Sequence, residues 1–318
     1  MKFYLKLKSN LKRYLKYIGP VILAVILFRT DWGSLAGVFS DADYEKLIWV
    51  YLLIIPKNII NSYRWHILLK RISIKRKYWD NFKLYFSGLL TGVITPGRIG
   101  EFYRIFRLEK EGYSKIKTAF SIFLTRFFDL SLLVVMGFTG IYYFLNITRF
   151  DDSKIKLVLL VGVVLVILFF GFIFIFKSYF AEKIYPVVNR IFKLETTKEG
   201  LKNNLKSINL DLFLKLSLLT VIFWLIYFYQ LYLISTMLDI NISFLKLIFI
   251  FPIVSLAAAL PVTIVGLGTR ELAMINLLLV FGVVREKSLA LSFMNYTILL
   301  VNMVVCTGMW FLEHKEND

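Results

Sequence analysis

The longest apolar stretch of the chain, residues 155–176, reads IKLVLLVGVVLVILFFGFIFIF and carries one charged side chain, Lys156, near its start. A helix of these 22 residues, rising about 1.5 Å per residue, crosses the roughly 30 Å hydrocarbon core of a bilayer. Membrane-spanning strands would instead place a polar residue at every second position, which this stretch does not do. The stretch therefore predicts a transmembrane helix.

Similar apolar runs recur along the chain, in which 58% of the 318 residues are hydrophobic. Soluble domains contain about 45–50% apolar residues, so the composition predicts an all-α polytopic membrane protein. We expect a single integral membrane domain over residues 1–318, with about six full transmembrane helices. The predicted spans are residues 15–28, 47–69, 116–145, 157–176, 212–238 and 288–312.

The formal charge of +18 is the next constraint, because a large positive charge is also typical of proteins that bind nucleic acid. Here the basic residues stand between apolar spans and on alternate loops, as the positive-inside rule describes. This pattern argues against nucleic acid and predicts a protein of the cell membrane with both termini in the cytoplasm. The basic connector at residues 177–209 predicts amphipathic helices on the membrane surface, with a solvated basic loop as the alternative.

The sequence contains few residues of the types that bind metal ions or cofactors. Cys306 is the single cysteine, and His66 and His314 are the two histidines. These residues can form neither a disulfide within the chain nor a His/Cys metal cluster. The sequence also lacks a P-loop, so we expect no metal, nucleotide or other cofactor.

Residues 82–95 begin an apolar helix that is too short to cross the membrane, and the sequence TPGRIGEF interrupts it. The helix breakers are Pro96, Gly97 and Gly100. The segments before and after this break are both basic, which predicts that both lie on the cytoplasmic side. The two observations agree if the chain enters the membrane, turns and returns, so we predict a re-entrant hairpin over about residues 82–112.

Residues 244–284 repeat this pattern, with the breakers Pro261, Gly266 and Gly268 ahead of Arg270 and Glu271. One constant offset in the numbering pairs Gly100-Glu101 with Arg270-Glu271, Gly112 with Gly282, Lys115 with Arg285 and Lys117 with Lys287. Three predicted spans separate the two hairpins, so the second hairpin should enter from the opposite face of the membrane. Such paired interruptions predict an inverted repeat with a transport site near the midplane. A parallel duplication, or no true repeat, is the alternative.

Charged residues near the bilayer centre cost at least about 2.5–3.5 kcal/mol on insertion scales and usually have a role. We predict lipid head-group binding by Arg98, Glu101 and Arg104 in the first hairpin and by Arg270 and Glu271 in the second. A helix that begins after Gly97 would present N–H groups to an anion, and arginine binds phosphate through two donors. The alternatives are that Arg104 and Arg107 only lie at the cytoplasmic interface and that the Arg/Glu pairs bind only each other.

Three further charged residues are predicted to support this site: Arg64, Arg126 and Asp129. Arg126 and Asp129 are three positions apart on one helix face, where an ion pair can form. This pair either belongs to the site or joins helices structurally. For Arg64 we favour a side chain that extends to the cytoplasmic surface.

The segments TPGRIGEFYRIFRL, LTRFFDL and LPVTIVGLGTRELAMINLLLVFGV together resemble the flippase-like transmembrane domain of lysylphosphatidylglycerol synthases, over about residues 15–312. YRWHILL is similar to an Arg-Trp motif of that family. The resemblance implies an inverted-repeat protein with two re-entrant hairpins that moves lipids between leaflets. Family members often have Glu-Arg before the aspartate of LTRFFDL, where this chain has Thr125-Arg126, which puts a complete charge network there in question.

In the synthases a separate soluble domain transfers the aminoacyl group, and we expect none here because the sequence ends at Asp318. We therefore expect a protein that is not an enzyme and translocates an anionic or zwitterionic lipid, either a phospholipid or a lipid-linked envelope precursor. The alternative is a membrane-embedded enzyme or accessory subunit for polyprenyl-phosphate-linked glycan assembly, and a third reading is a scaffold. Membrane lipids are the expected partners. A homo-oligomer and a partner lipid-synthesising enzyme or glycosyltransferase both stay open.

Overall fold

The computed structural model describes residues 19–147, 209–259 and 266–315, and these ranges contain helices and turns without a strand. The helices are α1 (Gly19–Phe28), α2 (Trp32–Ser40), α3 (Lys46–Leu52), α4 (Ile54–Arg71), α5 (Tyr78–Ile94), a 3-10 segment (Pro96–Phe102), α6 (Tyr103–Lys110), α7 (Lys115–Ile147), α8 (Leu210–Met237), α9 (Phe244–Ala259), α10 (Thr269–Leu279) and α11 (Arg285–Lys315). The all-α prediction is confirmed for these residues. The predicted span at 157–176, the connector up to residue 208 and Pro261 lie outside them.

Three of the described helices are long and apolar enough to cross a membrane, namely α7, α8 and α11. The bent pair of α1 and α2, whose axes differ by 89°, would be a fourth span if it crosses as one unit. A helical membrane protein is therefore supported. The count of six full spans and two hairpins stays a prediction.

The predicted span at residues 47–69 is interrupted, because the chain forms two helices, α3 and α4, that meet at Leu53, and its crossing of the membrane stays a prediction. Pro56 explains the interruption. Proline lacks the N–H that would bond to the carbonyl of Leu52, and its ring clashes with that carbonyl in a continuous helix. A hydropathy window cannot detect this break because the flanking residues are apolar on both sides.

Helix α2 lies between the predicted spans at residues 15–28 and 47–69, where no helix was predicted. Asp31 caps its first turn and accepts hydrogen bonds from the N–H groups of Gly33 at 3.0 Å and Ser34 at 3.3 Å. An aspartate cap stabilises a helix by about 1 kcal/mol. The acidic residue therefore marks a helix start here.

The first break reverses the chain, as the hairpin prediction requires. Thr91 in α5 donates its hydroxyl hydrogen to the carbonyl of Gly100 at 2.7 Å, and α6 then packs back along α5. The second break behaves similarly, because a Cβ added at Gly266 would lie 2.6 Å from the Cβ of Ala258 in α9. Both interrupted segments therefore double back on the helix that precedes them.

The helix ends repeat along the chain. After α6, the N–H of Tyr113 bonds to the carbonyl of Leu108 at 3.0 Å, and after α10 the N–H of Val283 bonds to the carbonyl of Leu278 at 3.2 Å. In both, the residue before the donor is a glycine with positive φ, which makes each a Schellman cap. The two caps are related by the same offset that pairs Glu101 with Glu271, as the predicted repeat requires.

A second pair of caps extends the repeat towards the N-terminus. The N–H of Ile74 bonds to Leu69 after α4 at 2.9 Å, and the N–H of Ile240 bonds to Ser235 after α8 at 2.8 Å. The offset between Ile74 and Ile240 is slightly smaller than the offset between the first two caps. The segment between the two caps of the second half is therefore slightly longer than the corresponding segment of the first half. The structure thus matches α4 to α7 with α8 to α11, element by element.

Helices of each half pack against helices of the other half. Helix α5 packs against α11, and its counterpart α9 packs against α7, the counterpart of α11. This reciprocal pattern is the one expected if a two-fold axis relates the halves, and the inverted repeat stays a prediction. The largest hydrophobic core lies around α8, α9 and α11, and a second core around Trp65, Leu84 and Leu108 lies beneath the first break.

Candidate functional site

Glu101 lies in the 3-10 segment and is 3% exposed. Arg104 donates to its Oε2 at 3.0 Å, and Arg126 donates through Nε to the same oxygen at 2.9 Å and through Nη2 to Oε1. The Nη1 of Arg98 lies 3.7 Å from Oε1. One buried carboxylate therefore holds three arginines from two separate parts of the chain.

Asp129 continues this arrangement on the next turn of α7. Arg64 in α4 binds both of its oxygens, at 2.7 and 3.1 Å, and also donates to the hydroxyl of Thr220 in α8 at 2.6 Å. The Nη1 of Arg126 lies 3.5 Å from Asp129. A bidentate arginine–carboxylate pair is among the strongest contacts available in a low-dielectric interior.

The prediction that Arg64 extends to the membrane surface is therefore wrong. Its residue is 1% exposed, because a carboxylate and a hydroxyl on neighbouring helices satisfy it more fully than the interface could. The charge network is also connected although Thr125 stands where family members often have glutamate. Arg126 bonds to Glu101 and approaches Asp129, so the charges form one connected network, which we call the arginine cluster: Arg64, Arg98, Glu101, Arg104, Arg126 and Asp129.

The arginine cluster contains four cations and two anions, which leaves a surplus of two positive charges. A surplus of buried charge is costly unless it meets an opposite charge. The surplus is directed outwards, since the side chain of Arg98 is 54% exposed and that of Arg126 is 31% exposed. The arrangement can therefore bind an anion such as a phosphate group.

Arg104 has a different position within the cluster. Its side chain is 2% exposed, and its guanidinium stacks over the rings of Trp65 at 4.9 Å and Tyr85 at 5.3 Å. The alternative that Arg104 only lies at the interface is wrong. These contacts fix the guanidinium in place, and from there it orients Glu101.

Small residues on α5 make the site possible. A Cβ added at Gly92 would lie 2.5 Å from Cγ of Glu101, and one at Gly88 would overlap Nε of Arg104. The returning chain could not bring these charges so close to a helix with larger residues there. Sequence reasoning singled out Gly100 but missed Gly88 and Gly92, although both stand in the apolar half-helix before the break.

The backbone of the break differs from the expectation that its N–H groups would be available to an anion. Two of these N–H groups already donate hydrogen bonds to Thr95. The N–H of Gly100 donates to the Thr95 hydroxyl at 2.6 Å, and the N–H of Arg98 donates to the Thr95 carbonyl at 3.1 Å. Arg98 itself has a left-handed backbone with φ of 58°, a conformation that is strained for residues other than glycine. The side chains, rather than these two N–H groups, are therefore the donors available to an anion.

Glu271 in the second break is fully buried and has neutral partners. It accepts hydrogen bonds from the N–H of Gly268 at 2.6 Å, from Ser292 at 2.7 Å and from Tyr296 at 2.9 Å. Gly266 and Gly268 have φ of 78° and 85°, so both act as the predicted backbone breaks. Among the described residues, no hydrogen bond or ion pair joins Glu271 to the arginines around Glu101.

Arg270 lies beside this group, with its guanidinium 4.5 Å from the centre of the Tyr296 ring. A cation over an aromatic face gains about 0.5–2 kcal/mol, depending on how dry the site is. The prediction that Arg270 and Glu271 complete the head-group site stays untested by these contacts, which instead show Glu271 capping α10.

Lys57 in α4 is a buried cation that sequence reasoning missed. Its Nζ donates to Oε1 of Gln230 at 2.9 Å and lies 5.4 Å from the centre of the Tyr227 ring. The available signal was a single lysine inside a predicted span, where charges usually have a role. In the parts of the chain that the structure describes, no group of His, Cys, Asp or Glu side chains could hold a metal ion.

Comparison with known proteins gives two matches. The family model described as lysylphosphatidylglycerol synthase TM region matches residues 17–306. A UPF0104 membrane protein of the archaeon Methanocaldococcus jannaschii is 29% identical over 188 residues, which cover 58% of this chain and 77% of the relative. No solved structure matches this chain.

Proposed function

Because the chain belongs to the lysylphosphatidylglycerol synthase TM region family, we propose that it translocates an anionic or zwitterionic lipid between the leaflets of a membrane. This family comprises membrane domains associated with lipid handling. The head group would bind at the arginine cluster while the acyl chains stay in the bilayer. The transported lipid is either a phospholipid or a lipid-linked envelope precursor.

The observation that carries this proposal is the surplus of two positive charges in the arginine cluster. A phosphate group matches the fork of the arginine guanidinium, and Arg98 and Arg126 expose part of theirs. Glu101 holds both arginines in one place, so the donors are oriented before a lipid arrives. Such preorganisation reduces the cost of ordering the site on binding.

The break in the first hairpin supports transport rather than storage. Irregular backbone at membrane depth is tolerated where it lies against protein or a wet cavity, and paired interrupted segments mark the substrate site in many transporters. The matched caps and reciprocal packing of the two halves fit an inverted repeat, in which one half moves against the other. The inverted orientation is part of the proposal.

The enzyme alternative has less support from the described residues. A general base needs a carboxylate within reach of its substrate, and Glu101 and Asp129 are both held in ion pairs with arginines. Glu271 accepts three hydrogen bonds. We therefore favour binding and movement of a lipid over chemistry on it.

The proposal can be tested with the purified full chain in vesicles that contain a fluorescent short-chain phosphatidylglycerol. The rate at which label on the inner leaflet reaches an external quencher measures translocation. We expect wild-type protein to accelerate this exchange and Glu101→Gln to lose most of the acceleration. Lys215→Gln, which removes one member of an exposed ion pair on α8, is the matched control. Equal rates for wild-type protein and protein-free vesicles, across lipids of different head groups, would contradict the function.

A further inference from the structure

Two cavities lie outside the arginine cluster, and both are lined in part by α5 and α11, which pack against each other. An apolar groove of about 580 Å³ lies between α3, α4, α5 and α11, with Ile55, Phe82, Phe86, Val305 and Met309 among its lining residues. We call it the apolar groove. Its volume is typical of sites that hold small ligands.

A polar cavity of about 480 Å³ is lined by Lys75, Arg76, Lys77, Asp80, Lys83, Arg107, Glu111 and Glu313. We call it the basic cavity, since five of these side chains are basic and three are acidic. Lys75 and Lys77 are exposed, while Arg107 is paired with Glu313 at 3.2 Å. The net charge of this cavity therefore favours an anion.

The two cavities share two of their lining helices, α5 and α11. On α11, Val301, Val305 and Met309 line the groove and Glu313 lines the basic cavity, at steps of four residues that place them on one face. On α5, Phe82 lines the groove and Lys83 lines the basic cavity. On α11 the lining therefore changes from apolar at Met309 to charged at Glu313 within about one helical turn.

This change coincides with an aromatic residue of the kind found at membrane interfaces. Trp79 is 52% exposed and stacks on Phe82 at 5.2 Å between ring centres. Exposed tryptophans are enriched at the depth of lipid head groups. In the proposal below, the basic cavity is therefore assigned to head-group depth and the apolar groove to the hydrocarbon next to it.

The groove has the length of one leaflet. From Met309 to Val301 the helix rises about 12 Å, at about 1.5 Å per residue, and one leaflet contributes about half of the roughly 30 Å hydrocarbon core. An acyl chain lying in the groove would therefore run along α11 for most of the depth of its leaflet.

The matching seam of the other half is closed instead. Between α7 and α9, a Cβ at Gly140 would overlap the carbonyl oxygen of Phe249, so these helices touch. At the equivalent positions of the second half, α11 carries Trp310 in place of Gly140 and Thr307 in place of Gly137. Small residues allow close helix approach in membranes, and α11 has larger residues at these two positions.

We propose that the seam between α5 and α11 binds a membrane phospholipid with an anionic head group, its head in the basic cavity and one acyl chain in the apolar groove. This inference rests on the proposed function. In that function, the seam would hold a lipid of the cytoplasmic leaflet before the lipid reaches the arginine cluster. Helix α6 connects the two sites, since Arg107 lines the basic cavity and Arg104 belongs to the cluster one turn away.

The test uses two neighbouring valines of α11. Val305 lines the groove, whereas Val304 is 73% exposed and does not line it. Native mass spectrometry of the delipidated full chain, titrated with phosphatidylglycerol, measures lipid binding. We expect Val305→Trp to fill the groove and weaken binding of one lipid by about tenfold, and Val304→Trp to bind like the wild type. Ile55→Trp, from the opposite wall, repeats the test if Val305→Trp does not fold.

The head-group end is tested separately. Lys75→Gln combined with Lys77→Gln should reduce the preference for phosphatidylglycerol over phosphatidylcholine. Soluble glycerol 1-phosphate should compete only weakly, since it lacks the acyl chain. Equal binding by the two tryptophan variants, or displacement of phosphatidylglycerol by glycerol 1-phosphate at matching concentrations, would overturn the inference. Loss of binding in Val305→Trp, together with no translocation by the wild type, would instead leave this site standing and refute the proposed function.

Discussion

Arg126 and Tyr296 are related by the same offset that pairs Glu101 with Glu271, and each donates a hydrogen bond of 2.9 Å to the glutamate of the preceding break, Glu101 or Glu271. Each break therefore makes the same contact with the long helix that follows it. They differ in charge, because the first contact joins two ions and the second joins a carboxylate to a phenol. Our proposal therefore puts the lipid phosphate in the first half.

The Arg64–Asp129 pair should contribute strongly to stability. Asp129→Asn leaves the buried guanidinium of Arg64 without a carboxylate, and removal of one member of a buried pair typically costs about 3–5 kcal/mol. Unfolding of the purified protein in detergent measures the change. Removing both charges, in Arg64→Leu with Asp129→Leu, should cost less than Asp129→Asn alone, and a larger cost would contradict the pairing.

The close approach at Gly92 predicts a steric effect on the site. A Cβ in Gly92→Ala would lie 2.5 Å from Cγ of Glu101, so the carboxylate must move away from its arginines. We expect loss of most lipid translocation in the vesicle assay. Gly37→Ala is the matched control, because a Cβ at Gly37 meets nothing within 4 Å, and it should keep full activity. Similar activity in both variants would refute the role of Gly92.

Arg126 should determine the preference for anionic lipids. Arg126→Gln removes a partly exposed cation and lowers the surplus charge of the cluster from two to one. We expect phosphatidylglycerol translocation to fall more than phosphatidylcholine translocation. The difference between the two lipids should shrink as salt rises, because screening weakens exposed charges. An equal loss for both lipids would show that Arg126 acts only through the fold.

Glu101 and Glu271 should differ when each is replaced by glutamine. Because Glu271 caps α10 and has neutral partners, we expect Glu271→Gln to cost about 1–2 kcal/mol of stability and to leave the lipid preference intact. Glu101→Gln also leaves the buried guanidinium of Arg104 without a carboxylate, so it should cost about 3–5 kcal/mol, and at a temperature where both variants stay folded it should lower translocation more than Glu271→Gln does. If Glu271→Gln instead lowers translocation as Glu101→Gln does, Glu271 binds the head group as the sequence predicted.

The inverted orientation predicts where two helix ends lie. The Schellman caps at Ser73 and Asp239 are equivalent positions of the two halves, so they should face opposite sides of the membrane. Single cysteines at each position, in a Cys306→Ala background, can be labelled with an impermeant maleimide from either side of sealed vesicles. Labelling of both from the same side would indicate a parallel duplication.

The sequence predicted the breaks well because proline and glycine mark a backbone conformation locally. Gly112 and Gly282 were paired from their spacing, and both have positive φ at helix ends. The partner of Arg64 could not be predicted, since Asp129 lies 65 residues later and only packing decides which helix faces meet. The interruption beside Pro56 was missed for another reason, because the apolar residues around it satisfied the hydropathy pattern of one span.

The exchange of contacts between the halves affects how the chain is made. Helix α5 ends at Ile94, and α11, on which it packs, begins at Arg285. At synthesis rates of about 5–20 residues per second, α5 waits roughly 10–40 s for its partner to leave the ribosome. Throughout that time Ser87, which donates a hydrogen bond to Glu313 of α11 in the finished protein, lacks this partner. The nascent first half is thus dependent on the last helix, and a chain truncated before α11 should be degraded rather than inserted.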